Sequence, residues 1–424
     1  MEAMEAMEAA YDCGLSEKTR WSSVCVRHKS ADVVSLYSAP GMEKPGRLVV
    51  KVGTGVLTGG EQSLDLDRMR DLTRQIAALR QTGHEVLLVT SGAIAAGRER
   101  LPLDRSRRDV PAKQMLAAIG QHRLMQTWDA LFTAHDIIVA QTLLTKADLR
   151  DRQGYLNARN TLIGLVEHQV LPIINENDVV AVDEIHVDAE NRLFNDNDNL
   201  AAMVANLVDA QLLINLTNTG GLYTADPRHN PSATLMAEVQ RITRAVESLA
   251  GSAGTDQGTG GMRTKIEAAK LATASGITAV IAPGNEPDVL LRLVAGEAIG
   301  TRFKPIVSRR ESRQRWILSA LTTRAAVEVD AGAAEAIRAR GRSLLAAGVR
   351  FAHGHFGRGD PIAVIDPDGE RIACGLANYS ALDIEQIKGG HSQQISSRLG
   401  YAYGQEVIHR NNLVVLSGEE NPTL

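Results

Sequence analysis

The chain has 424 residues, 44% of them hydrophobic and 23% charged, and a formal net charge of −4. That balance is ordinary for a soluble globular protein with length for two or three domains, and it gives no electrostatic reason to expect a nucleic-acid or membrane surface. Cys13, Cys25 and Cys374 lack C-x-x-C spacing, which argues against a disulfide framework or a structural zinc site and fits a reducing cytoplasm. No stretch approaches the roughly 20 apolar residues of a membrane span.

Residues 1–45 read as a leader, disordered or mis-assigned. Met1-Glu-Ala-Met-Glu-Ala-Met-Glu-Ala repeats a triplet, no strand or helix period continues to Pro40, and no secretory pattern is present. Met42, just before the first convincing strand, is the expected functional start.

From Arg47 the pattern alternates strand and helix. Leu48–Val52 predicts a buried strand, and Leu66, Met69, Leu72, Ile76 and Leu79 predict a helix stopping at Gly83. Glu85–Thr90 predicts a second strand, Ser91–Gly97 a small-residue helix, Lys113–Ala134 a longer one and Ile137–Leu144 a third strand. Helix 157–167, strand 170–174, helix 199–208, strand 211–217, helix 263–274, strand 278–282 and helix 287–294 follow. Strands separated by helices predict an α/β fold, a mainly parallel sheet sandwiched by helices, with ligands outside the carboxyl ends of the strands. Lys51-Val-Gly-Thr-Gly55, Thr90-Ser-Gly92, Asn175-Glu-Asn-Asp178 and Thr217-Asn218 fall on that edge.

The texture changes after Gly300. Residues 308–322, with the charged run Ser308-Arg-Arg-Glu-Ser-Arg-Gln-Arg-Trp316, read as a linker. Short segments at 326–329, 363–366, 371–375 and 412–416, with the turn Asp366-Pro-Asp-Gly, predict a small, mostly β domain over 323–424. The catalytic unit is then 46–307.

Two glycine-rich turns each carry one lysine. Lys51 precedes Gly53, Thr54 and Gly55, and Thr259-Gly-Gly-Met-Arg-Thr-Lys265 enters a helix. Neither is a Walker A loop, but glycine lets backbone N–H groups approach an anion, and a helix start favours phosphate. Lys265 sits early in its helix, where the dipole disfavours a cation unless a polyanion binds there. Two such lysines suit phosphoryl transfer, in which the protein mainly positions groups and offsets spread negative charge.

Asn195-Asp-Asn-Asp-Asn199 has neither the glycine nor the distal glutamate of an EF-hand. One of these residues is expected to cap a helix, but a cap does not require five. Asp198 is the candidate to hold both ammonium groups, and the asparagines, Asn197 among them, could hydrogen-bond a polar substrate. Asp178 could meet an α-amino group, and Ser91 with Gly92 and Ala93 offers a hydroxyl and N–H groups at a helix start. The eleven histidines do not fall at metal-ligand spacing, so no protein-held metal site is expected.

The segments VVKVGTGVLTGG, VTSGAIAAGRE, INENDVVA, NDNDNLAA, GLYTADPR and GTGGMRTK, in that order, resemble the amino-acid kinase family, and specifically its glutamate-phosphorylating members. The likeness spans residues 47–304, and the C-terminal part resembles a PUA domain. The resemblance implies ATP-dependent phosphorylation of the γ-carboxylate of L-glutamate with Mg2+, as the first step of proline biosynthesis, together with feedback inhibition by proline and a homo-oligomer, dimer or tetramer. It implies that Lys51 and Lys265 contact the ATP phosphates and that Asp198 orients them. It further implies that Ser91, Asp178 and Asn197 bind glutamate, and that Thr217, Asn218, Thr259, Gly260, Gly261, Met262, Arg263 and Thr264 contact nucleotide.

This sequence departs from the family pattern in three places. Asn218 stands where the family usually has Asp, Gly55 where it often has Ser, and the stretch Asp183–Phe194 is longer than in short bacterial versions. PUA domains often bind RNA, but between residues 323 and 424 twelve acidic side chains outnumber ten basic ones, which disfavours it. No group assigned to phosphoryl transfer lies in that domain.

Overall fold

The structure, a computed structural model, describes residues 42, 44–61, 63–101, 109–181, 197–250, 261–306, 308 and 325–416. The leader up to residue 41, the loop 183–194, Thr259, Gly260 and the linker beyond Ser308 lie outside the described residues.

Strands β1 (Arg47–Val52), β2 (Glu85–Thr90), β3 (Val139–Leu144), β4 (Leu171–Glu176), β5 (Leu212–Thr217), β6 (Glu238–Val239), β7 (Thr278–Pro283) and β8 (Thr301–Phe303) form one sheet in the order β3-β4-β2-β1-β5-β7-β8-β6. All neighbours are parallel except β7 and β8. The chain leaves β1 through β2 on one side and returns through β5 on the other, so the order reverses between β1 and β5. In an open α/β sheet that reversal opens a crevice at the carboxyl edge.

Strand side chains alternate faces, and two cores result. Val49, Leu87, Val89 and Leu213 pack on one face, under α7 (Asn197–Leu207) and α9 (Met262–Ala274). Leu48, Val50, Leu88 and Ile214 pack on the other, with α2 (Leu66–Gln81), α4 (Val110–Thr133) and α10 (Val289–Val294). Lys51 and Asn215 therefore stand on the α7/α9 face, as paired register partners of β1 and β5. Helices α7 and α9 are built of small residues where they meet the core, including Ala201, Ala202, Ala205, Ala268, Ala269 and Ala272.

Caps fix several helix starts: Asp65 accepts from the N–H of Arg68, Asp109 from Ala112 and Asp151 from Gly154. The predicted helix after β2 begins at Ala93 as α3 (Ala93–Arg100), with Gly92 at φ 101° as its N-cap. A helix not predicted from sequence, α5 (Lys146–Arg150), is closed by a capping box between Thr145 and Asp148, and α6 (Arg152–Glu167) follows it directly. Helices α3 and α4 cross with their backbones touching. A Cβ on Gly120 would lie 1.8 Å from Ala93 O, and one on Gly97 would lie 2.0 Å from Leu116 O.

The C-terminal part carries a five-stranded sheet, β11-β9-β12-β13-β15, built from β9 (Ala326–Val329), β11 (Val349–His353), β12 (Pro361–Ile365), β13 (Arg371–Leu376) and β15 (Leu413–Val415). A two-stranded piece joins β10 (Leu344–Leu345) to β14 (Glu406–Ile408). Helices Ala331–Arg340, Ala381–Ile387 and Ile395–Leu399, which the short-strand pattern did not foresee, accompany these strands. The domain has its own core around Val327, Ile362, Tyr379 and Ile408.

Residues 40–424 form one compact unit, and a buried arginine joins its two parts. Arg159 of α6, 2% exposed, donates from Nε to Asn412 Oδ1 and from Nη2 to Asn411 O and Asp209 Oδ2, each at 2.6 Å. Its Nη1 donates to the carbonyl of Leu207, the last residue of α7. An ion pair of 2.6 Å between Arg152 and Asp360 flanks it. Among the described residues no helix is long and apolar enough to cross a membrane.

The α3/α4 contact predicts an asymmetry between two helix glycines. Gly120→Ala forces backbone apart and should cost about 1–3 kcal/mol, lowering Tm by roughly 2–10 °C. Gly164→Ala in α6 meets open space and should leave Tm unchanged or raise it slightly. Thermal melts of the two variants check this, and equal melting temperatures would contradict the crossing.

Candidate active site

The carboxylate of Asp198 lies at the β1/β5 reversal, in the first turn of α7, and is 1% exposed. Lys51 Nζ is 2.6 Å from its Oδ1, and Lys265 Nζ is 3.0 Å from its Oδ2. Asn215 Nδ2 donates to Oδ1 at 2.8 Å, and Thr264 Oγ1 donates to Oδ2 at 2.8 Å. Lys51 and Lys265 are themselves 5% and 7% exposed. Burial opposes ionisation of Asp198, but the Lys51 and Lys265 ammonium charges and the hydrogen bonds from Lys51 and Asn215 overcome it and hold the carboxyl well below the usual carboxylate range.

The second part of the site is a relay of amides. Asn197 Nδ2 lies 3.0 Å from Thr90 O, 2.9 Å from Ser91 Oγ and 3.0 Å from Asn175 Oδ1. Asn175 Nδ2 in turn donates to Gln121 Oε1 at 2.8 Å. Gly92 and Ala93, both buried, open α3 beside Ser91. Asp178 stands two residues beyond β4, half-buried.

Lys51, Lys265, Asp198, Asn197, Ser91 and Thr264, all singled out from sequence, thus come together at one sheet edge. Gly53 approaches closely: a Cβ there would lie 3.4 Å from Lys51 Nζ. Thr54 opens the short helix α1 (Thr54–Leu57), Gly261 caps α9, and Thr217 ends β5. Met262 packs against the core, and Arg263 pairs with Glu267 at 3.0 Å on the exposed side of α9.

Gly55 and Asn218, two of the departures from the family pattern, are neighbours. A Cβ on Gly55 would lie 2.5 Å from Asn218 Nδ2, so the glycine leaves the space that the Asn218 amide fills.

Three contributors were missed in the sequence. Asn215 left one signal, a lone amide inside the apolar run Leu212-Leu-Ile-Asn-Leu216. Asn175 was noted within its motif but given no role. Gln121 lies on α4, one turn of a helix whose polar residues are mostly solvent-facing, and nothing local marks it.

Residues 46–283 match the amino acid kinase family, and residues 325–399 match the PUA domain. The chain belongs to the amino acid kinase family. Among its curated relatives, the glutamate 5-kinase of Herpetosiphon aurantiacus is 57% identical over 368 residues, 87% of this chain and 98% of that protein. The glutamate 5-kinase of Dehalococcoides mccartyi (strain CBDB1) is 55% identical, with 87% and 98% covered. That of Deinococcus radiodurans is 49% identical, with 87% and 100% covered. As an amino acid kinase the chain is a phosphotransferase with a C-terminal PUA domain, and its own fold places Lys51 and Lys265 on Asp198 where the sheet order reverses.

Asp198→Asn should show what holds this cluster together. Removing the charge leaves two buried ammonium groups facing a neutral amide, at a cost of roughly 3–5 kcal/mol at neutral pH. Because the folded carboxyl titrates below its unfolded value, its contribution is complete above about pH 4 and declines as pH falls below it. The stability gap between wild type and variant, measured by denaturant melts, should therefore narrow from pH 7 to pH 3. A gap that stays constant or widens would mean the carboxylate is not stabilised by the lysines.

Proposed function

We propose that the chain phosphorylates the γ-carboxylate of L-glutamate with ATP, giving L-glutamyl 5-phosphate and ADP in the first step of proline biosynthesis. The observation that carries this reading is the Lys51–Asp198–Lys265 cluster at the sheet reversal, in a chain whose relatives are glutamate 5-kinases across nearly their full length. The γ-carboxylate is ionised at neutral pH, so no general base is required. One of its oxygens attacks the γ-phosphorus; a C–O–P linkage forms, and the bond from that phosphorus to the β–γ bridging oxygen breaks as ADP leaves.

Lys51 and Lys265 offset the charge that spreads over the transferring group, and Asp198 fixes where both ammonium groups stand. Ser91, Gly92, Ala93, Asp178 and Asn197 receive glutamate. Gly53, Thr54, Thr217, Asn218 and the stretch from Thr259 to Lys265 receive the nucleotide, with the free N–H groups at the start of α9 facing phosphate.

Mg2+ bound with ATP would neutralise phosphate charge. Asp198 already accepts from Lys51, Lys265, Asn215 and Thr264, and among the described residues no group of three or more His, Cys, Asp or Glu could cage a metal. The ion would therefore be carried mainly by the nucleotide's phosphates, as is common for Mg2+. Proline as feedback inhibitor, a homo-oligomeric state and a cytoplasmic setting belong to the same proposal. So does a division into a catalytic unit over 46–307, a linker over 308–322 and a C-terminal domain over 323–424, which the two family matches support.

The test is glutamate-dependent ADP release, with the acyl phosphate trapped as hydroxamate; no glutamate-dependent turnover would sink the proposal. Lys51→Ala and Lys265→Ala should each lower kcat by about a hundredfold or more, roughly 2.7 kcal/mol of transition-state stabilisation. Asp178→Ala should instead raise the KM for glutamate with kcat nearly kept.

A further inference from the structure

The amide relay has a fixed polarity, and its two ends are left unused. A backbone carbonyl can only accept, so the side chain of Asn197 must turn its Nδ2 toward Thr90 O, 3.0 Å away. The same Nδ2 then faces Asn175 Oδ1, which turns Asn175 Nδ2 to Gln121 Oε1. Flipping any one amide would set acceptor against acceptor or donor against donor along the whole series. Two atoms remain: Asn197 Oδ1, an acceptor, and Gln121 Nε2, a donor, both buried and, among the described residues, without a hydrogen-bond partner. Asn197 and Asn175 are 4% and 2% exposed, whereas Ser91 and Gln121, at the two ends of the relay, are half-buried. The relay is thus most deeply buried at Asn175 and becomes less buried toward Ser91 on the Asn197 side and toward Gln121 on the other.

An unpaired buried donor and an unpaired buried acceptor are each costly, and one ligand with both an ammonium group and a carboxylate would satisfy them together. Resting on the proposed glutamate site, we infer that Gln121 is a further substrate-binding residue: its Nε2 donates to the α-carboxylate of the amino-acid substrate, while Asn197 Oδ1 accepts from the α-ammonium group. Asn175 is the positioning residue between them, because its amide sets the orientation of both. The relay selects an α-amino acid by reading the polarity of its zwitterion and leaves the γ-carboxylate free for the lysine cluster next along α7. Residue 197 thus serves recognition and residue 198 serves the lysines, from adjacent positions of one helix start.

The experiment uses the full chain, with steady-state kinetics on glutamate and inhibition constants for two truncated analogues. Glutarate lacks the α-ammonium group but keeps both carboxylates; 4-aminobutyrate lacks the α-carboxylate. Gln121→Ala should raise the KM for glutamate roughly tenfold or more, the effect of losing a hydrogen bond to a charged group, with kcat within a fewfold. It should weaken glutarate by a similar factor and leave 4-aminobutyrate unchanged, since that compound lacks the α-carboxylate that Gln121 Nε2 would hold. Gln121→Glu keeps the side-chain shape and the acceptor for Asn175 but sets an oxygen where the donor was, so it should weaken glutamate more than Gln121→Ala does. Should the alanine variant fail to fold, this isosteric variant supplies the same three comparisons. An unchanged KM for glutamate, or an equal weakening of both analogues, overturns the assignment. A wild-type chain without glutamate-dependent turnover defeats the proposed function itself, whereas an active wild type with an indifferent Gln121 defeats only this inference.

Discussion

Two ammonium groups held by one buried carboxylate are the constraint to which the rest of the catalytic unit answers. Lys51 comes from a strand, Lys265 from the first turn of α9, and Asp198 from the first turn of α7. None of the three is tolerable alone at its depth: a buried unpaired charge costs several kcal/mol, and the pairing repays this only with good geometry and further hydrogen bonds. Asn215 and Thr264 supply those hydrogen bonds. The parallel register that sets Lys51 opposite Asn215 is therefore as much a part of the site as the charges, and so are the alanine-rich faces that let α7 and α9 approach the sheet.

The strands were legible as short apolar runs, because a parallel sheet covered on both faces buries both sides of a strand, and most long helices by apolar residues at a period of 3.6; every strand of the sheet from β1 to β7 except the short β6 was placed to within two residues. What periodicity missed was short. Helix α5 spans five residues, and β6 and β8 span two and three. Such segments are stabilised by a capping box or by pairing to a distant strand, and neither leaves a repeating pattern. In the C-terminal domain the helix Ala331–Arg340 is mostly alanine and charge, so no apolar stripe advertised it.

The site divided in the same way. Lys51, Asp198 and Lys265 stood out because each is a charged residue in or next to a run of glycines or asparagines where a strand ends or a helix begins. Asn215 and Gln121 did not, because a single amide in an apolar strand or on a long helix has an ordinary explanation until its partners are known. Their roles arise from long-range contacts, 17 residues apart for Asn215 with Asp198 and 54 for Asn175 with Gln121, and no local window contains both members of either pair.

Helix α7 ties the lysine cluster to the C-terminal domain. At its start stand Asn197 and Asp198; at its end the carbonyl of Leu207 is capped by Arg159, whose remaining donors go to Asp209, Asn411 and Asn412. Asp209, just past the helix, holds a left-handed backbone at φ 52°, a conformation that a non-glycine residue keeps only when its surroundings fix it. A buried guanidinium deprived of the acceptors from Asn411 and Asn412 would retain its charge and lose its hydrogen bonds, and the first groups to feel this would be Asp209 and the last turn of α7. The helix is only 11 residues long, about 16 Å at the rise of an α-helix, so the Arg159 contacts and the lysine-bearing carboxylate are separated by three turns of one continuous helix. One short helix thus touches the lysine cluster at its start and, through Arg159, the C-terminal domain at its end.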